Sequence, residues 1–134
     1  MPACKVVDAW AMLAWLLDQA AAPAVESFFQ QADAGDLQLV MSWINVGEVY
    51  YIISRRHGPE RAADFLNRLP SLPIRLVLPD EDGILAAAEV KARHPISFSA
   101  AFAIALALGE KGSVITGDEE IRRSAMVPVD WIGP

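Results

Sequence analysis

The chain has 134 residues, the length of a single domain over residues 1–134, with enough material to bury one core. Its 54% hydrophobic and 21% charged residues exclude a disordered chain, and a single cysteine, Cys4, excludes an internal disulfide or a cysteine-rich metal site. A net charge of -6 argues against broad coating of nucleic acid, yet leaves room for an acid excess gathered in one pocket and offset by divalent cations.

In chain order, Lys5-Val6-Val7 is a short apolar β run that stops at Asp8, and Trp10, Leu13, Leu16 and Leu17 then recur at helical spacing through about Gln19. A second helix is predicted over residues 23–34, with Pro23 in its first turn and Gly35 past its end. Residues 37–41 read as a strand, and Ser42 is placed to cap a helix running to about Arg56. Gly58-Pro59 breaks the pattern before a short helix over residues 60–69. Residues 74–78 are β-like, and Asp80 starts a helix to about Arg93. Ser97 caps an alanine-rich helix over residues 98–108. Residues 113–116 form a strand that halts at Gly117-Asp118, and residues 127–129 read as a last short strand.

The longest charge-free stretch, between His94 and Glu110, is too short to span a bilayer as a helix, and no basic segment precedes an apolar one at the start. A cytoplasmic location, with no membrane partner, is therefore expected. Strands alternate with helices, and the strands are continuous apolar runs. That pattern predicts an α/β three-layer sandwich with a central, mainly parallel sheet flanked by helices. Ligands of such folds gather outside the carboxyl ends of the strands. Asp8 and Asp118 stand at two such ends.

Glu48 is the third acid of interest. It shares a helix face with Ile44 and Ile52, and a carboxylate in so apolar a setting needs a cation or a donor. Each acid alone has a plainer reading: Asp8 and Asp118 as helix N-caps, Glu48 as an exposed glutamate paired with Arg55 or Arg56. Together they say more. Two carboxylates ~4 Å apart repel by about 1 kcal/mol in water and about 4 kcal/mol at an effective dielectric of 20. Mg²⁺ or Mn²⁺ would relieve that repulsion.

Four segments carry a resemblance: Val6-Val7-Asp8-Ala9-Trp10, Ile44-Asn45-Val46-Gly47-Glu48, Ile96-Ser97-Phe98-Ser99-Ala100-Ala101-Phe102 and Val114-Ile115-Thr116-Gly117-Asp118. In that order they resemble the motifs of the PIN domain, most of all in the VapC toxins of toxin–antitoxin pairs. The resemblance implies a Mg²⁺- or Mn²⁺-dependent endoribonuclease that leaves a 3′-hydroxyl and a 5′-phosphate. It implies Asp8 as a direct metal ligand, with Glu48 and Asp118 completing the acidic cluster and Asn45 and Thr116 supporting it. It also implies RNA as substrate, a cognate antitoxin whose segment covers the pocket, and a homodimer joined through apolar helices.

The third motif of that family reads Ser-Tyr/Phe-Ala-Asp-Ala-Phe, which puts Ala100 where a metal-binding aspartate is normal. A methyl group can neither hold a cation nor accept a proton, so weak metal binding and slow or absent cleavage are expected. The intact acids and flanking residues favour an introduced substitution over a degenerate member; an alanine that merely packs its helix is the plain alternative. Trp10 is a milder departure, at a position where many relatives carry a small hydroxyl residue.

The remaining residues have ordinary readings. His57 and His94 are expected near helix ends at the surface, and the pairs Arg55-Arg56, Lys91-Arg93 and Arg122-Arg123 to balance helix ends or nearby acids, with phosphate contact a lesser alternative. Trp10, Trp15, Trp43 and Trp131 are expected as core or interface anchors, and Cys4 as a small buried residue. The main rival to a nuclease is a non-catalytic PIN-like module that binds RNA or protein. A receiver-like phosphoryl-transfer domain using Asp8 ranks last, for want of a phosphate-binding glycine loop.

Overall fold

The computed structural model of the chain describes residues 2–134. Strand β1 (Ala3–Val7) lies between β2 (Leu37–Ser42) and β4 (Ser113–Thr116), with β3 (Ile74–Val77) outside β2 and β5 (Val129–Trp131) outside β4. The order is β3-β2-β1-β4-β5, and every pairing is parallel. The expected mainly parallel sheet is thus wholly parallel.

Alternate residues of a strand point to opposite faces, so strands covered on both sides must be apolar throughout. Val7, Leu39, Met41 and Ile115 pack on one face against α1 (Ala9–Leu16), α2 (Ala22–Asp33), α3 (Trp43–His57) and α4 (Pro59–Arg68). Val6, Val40 and Val114, paired in register, pack on the other against α5 (Glu81–Arg93), α6 (Phe98–Glu110) and α7 (Glu119–Ser124). Those three valines are fully buried. Each contributes roughly 1.5–3 kcal/mol relative to an exposed position. Helix α6 explains its alanines: Ala101, Ala103, Ile104 and Ala107 are all buried, so small side chains let it lie close to the sheet.

Three boundaries differ from the sequence expectation. The first helix stops at Leu16 rather than near Gln19, because Asp18 takes a left-handed conformation (φ 50°) and the Gln19 N–H bonds back to the Ala14 carbonyl. The residues after Asp118, expected as a turn, form the short helix α7. The last strand begins at Val129, because Pro128 has no N–H to donate and contributes only its carbonyl, which accepts from Val114 N at 3.0 Å. The expected break at Gly58-Pro59 holds: Gly58 takes φ 92°, a conformation open to glycine, between α3 and α4.

Cys4 also departs from expectation. It is half-buried, and its thiol donates to Glu110 Oε2 at 3.9 Å, in a chain of contacts that continues to Arg75. Burial and the Glu110 carboxylate push the thiol pKa up, against the Arg75 charge. Trp15 packs edge-on to Phe29 as an anchor, whereas Trp43 is 41% exposed. His57 is exposed and His94 half-buried, each at a helix end. No single helix among the described residues is long and apolar enough to cross a membrane.

The chain leaves β1 for β2 on one side and returns to place β4 on the other, so the strand order switches between β1 and β4. In open α/β sheets that switch opens a crevice at the carboxyl ends of the strands. Asp8 directly follows β1, and Thr116 ends β4.

Candidate active site

The crevice is a cavity of about 190 Å³ whose walls include Asp8, Asn45, Glu48, Ser99, Ala100 and Asp118. Three segments far apart in sequence thus bring the three predicted acids, and the alanine in place of a fourth, to one pocket. Asp8 is 3% exposed and caps α1, its Oδ1 accepting from Ala11 N at 2.9 Å. The Thr116 hydroxyl donates to Asp8 Oδ2 and accepts from Asp118 N at 2.9 Å. One hydroxyl therefore ties the first acid to the backbone of the last.

Burial raises the Asp8 pKa from 3.8 to about 7, against the two hydrogen bonds that favour the charged form, and the Asp118 and Glu48 charges raise it further. Asp118, half-buried, is raised by burial and by the neighbouring Glu120 and Glu119 carboxylates, against the hydrogen bond its Oδ1 accepts from Glu120 N at 2.9 Å. Both acids do cap helices, as the plainer reading held, and they also face a common cavity.

Glu48 projects from α3, where its Oε1 accepts from Ser99 Oγ of α6 at 2.6 Å. It forms no ion pair with Arg55 or Arg56 among the described residues; Arg55 instead lies over the Tyr51 ring. One turn earlier on α3, Asn45 Nδ2 donates to the Ser99 carbonyl at 3.0 Å. Ser99 is thus gripped by both α3 side chains. Sequence reasoning passed over it, although it is the only hydroxyl within α6 and stands where the family motif has alanine.

Ala100 is 5% exposed and donates its N–H to the Ser97 cap at 3.1 Å. Ser97 N in turn donates to Glu120 Oε1 at 3.2 Å, which fastens the start of α6 to α7. On the opposite wall the Trp10 indole lies against Gly117 so closely that a Cβ there would overlap its six-membered ring. Arg122 and Arg123 pair with Glu119, and Arg122 also covers the Trp131 ring at 3.8 Å. Lys91 donates to the Ile96 carbonyl at 2.8 Å, and Arg93 pairs with Glu89. The basic clusters therefore balance local acids and carbonyls, as expected.

The cavity wall offers only oxygen donors, which suits a hard divalent cation. Among the described residues, however, no three carboxylate, histidine or cysteine side chains gather within reach of one ion. Glu48 Oε2 and Asp118 Oδ2 carry no hydrogen bond among the described residues and remain open to a ligand. This donor set fits a cation that keeps part of its water shell better than one ringed by protein.

The PIN domain family model matches residues 5–126. The structure is similar to the VapC20 toxin of Mycobacterium tuberculosis, described as a sarcin-ricin loop cleaving toxin: TM-score 0.75 at 18% identity, covering 92% of this chain and 96% of that one. VapBC2 from Rickettsia felis, solved bound to a DNA fragment from its promoter, gives 0.76 at 11% identity over 95% and 97%. FitAcB from Neisseria gonorrhoeae gives 0.66 at 16% identity over 93% and 95%. At such identities the likeness is one of fold. No curated protein matches the chain by sequence.

Proposed function

The chain belongs to the PIN domain family, and from that premise we propose that its 134 residues form one unit built as a Mg²⁺- or Mn²⁺-dependent endoribonuclease toxin, weakened or silenced by Ala100. The observation that carries the reading is the convergence of Asp8, Glu48, Asp118 and Ala100 on one cavity. When bound, the cation would neutralise the phosphate charge and make a water acidic enough to attack phosphorus, leaving a 3′-hydroxyl and a 5′-phosphate.

The chain's own residues divide the remaining work. Asp8, deepest in the pocket, is the expected direct ligand, and a cation would favour its charged form against the burial that opposes it. Thr116 fixes Asp8 and the Asp118 backbone together, so the two acids keep their separation as substrate enters. Glu48, held by Ser99, and Asp118 have oxygens free to orient the attacking water and accept its proton. At position 100, the methyl group leaves one wall of the pocket without an oxygen.

Several further features belong to the same reading. A cognate antitoxin would cover the pocket, as suggested by similarity to structures of VapBC pairs, and a homodimer and cytoplasmic location follow the family. Ala100 and the lack of a three-ligand cluster among the described residues favour a second reading, a non-catalytic PIN-like module that binds RNA or protein. The two separate in one assay. The chain and its Ala100→Asp variant are incubated with a mixed RNA pool, with Mg²⁺, with Mn²⁺ and with EDTA. Metal-dependent cleavage gained by the variant, with 5′-phosphate ends, supports the nuclease. A folded variant that stays inert with metal present turns the reading to the binding module.

A further inference from the structure

Asn45 is 1% exposed, and its Oδ1 is the buried side-chain polar atom left without a hydrogen-bond partner among the described residues. The orientation of its amide is not open to choice. The Ser99 carbonyl can only accept, so the Nδ2 group must face it, as it does at 3.0 Å, and the oxygen is left over. Buried acceptors are seldom abandoned in folded proteins, because stripping water from one without replacement destabilises the fold. This one belongs to a residue on the wall of the acidic cavity, beside Glu48 and Ala100.

A neutral acceptor in that position calls for an occupant that offers a hydrogen or a positive charge. The surrounding carboxylates narrow the choice to something cationic. Too few of them gather to strip a divalent ion of its water, and Mg²⁺ in particular gives up its water reluctantly. On the α6 wall, Ala100 supplies no oxygen at all. We propose that Asn45 is a positioning residue whose side-chain oxygen accepts a hydrogen bond from a water of a hydrated divalent cation, beside the wall where Ala100 offers no ligand. The assignment rests on the metal-nuclease reading above.

Its test uses binding rather than turnover. Mg²⁺ and hexaamminecobalt(III), whose ammonia shell cannot be displaced and which therefore binds only through its outer hydrogens, are each titrated by calorimetry into the intact protein, Asn45→Leu and Asn45→Asp. All three are also melted in EDTA. Removing the acceptor should weaken both ions about 10-fold, as for other groups that hold a metal's outer shell. Asn45→Asp, which keeps an acceptor in place, should bind both at least as tightly as the parent. Asn45→Leu should melt no lower than the parent, because it removes an unpaired buried oxygen.

Unchanged binding by Asn45→Leu overturns the assignment. So does a loss confined to Mg²⁺, which would mean direct coordination, and so does a marked fall in melting temperature shared by both variants, which would mean a structural amide. If the parent binds neither ion, the metal reading fails first and the Asn45 role fails with it, a result distinct from the other three.

Discussion

Replacing Asp8 by asparagine should stabilise the metal-free protein at alkaline pH, although it removes the most deeply placed acid of the pocket. Asparagine caps helices as well as aspartate does, so its Oδ1 can keep the bond from Ala11 N, and its amide can donate to the Thr116 hydroxyl oxygen. What changes is the charge. In the unfolded chain Asp8 releases its proton near 3.8, whereas in the folded chain burial holds the proton until about pH 7. Below 3.8 both states are protonated, and Asp8 exerts no pH-dependent effect. Between 3.8 and about 7 the folded state binds the extra proton, so stability falls as pH rises, by about 1.4 kcal/mol per pH unit. By pH 8 the loss has levelled off at about 4 kcal/mol, which for a chain of this size corresponds to about 15 °C in melting temperature.

Asp8→Asn has no such titration. Its melting curve in EDTA should match the parent near pH 4 and rise above it steadily to pH 8, while the other acids titrate alike in both proteins and cancel in the difference. Saturating Mg²⁺ should then close the gap by stabilising the parent alone. Parallel pH profiles, or a variant that melts below the parent at pH 8, would refute the idea that Asp8 is a buried charge waiting for a counter-ion.

Two further outcomes test how the pocket walls are held. Gly117→Ala should lose about 1–3 kcal/mol in urea titration, because its methyl group would overlap the Trp10 ring; the loss should shrink when Trp10 is also made alanine, a coupling that unrelated sites would not give. Ser99→Ala should cost about 1.5 kcal/mol with an unchanged urea m-value, because it deletes the hydrogen bond to the Glu48 carboxylate that links α3 to α6.

The parallel sheet could be read from the sequence because both faces of its strands are covered, which forces continuous apolar runs such as Lys5-Val6-Val7 and Ser113-Val114-Ile115. The acids at strand ends were legible for a related reason: Asp8 and Asp118 interrupt those runs where the backbone must turn into a helix, and capping and cavity lining ask for the same residue type. Boundaries were less legible where one residue decides them. The left-handed turn at Asp18 leaves no mark in hydrophobic spacing, and Val127 and Val129 look alike until β4 chooses its partner.

The hydrogen bonding of Ser99 lay beyond spacing altogether. Within its own helix it is a small residue among alanines, and only the approach of α3 gives it Glu48 as acceptor and Asn45 as donor. That contact changes the meaning of Ala100. Read alone, Ala100 is a missing ligand. Set beside Ser99 it belongs to a pair, because the Ala-Asp of the family motif has become Ser-Ala, and the oxygen lost from position 100 has a counterpart one residue earlier that binds Glu48 instead of facing a cation. Relative to the family pattern, the α6 wall has exchanged a charge that repels its neighbours for a hydroxyl that holds one of them. Such a pocket is easier to fold empty and weaker at gripping an ion, and both consequences arise from the same two side chains.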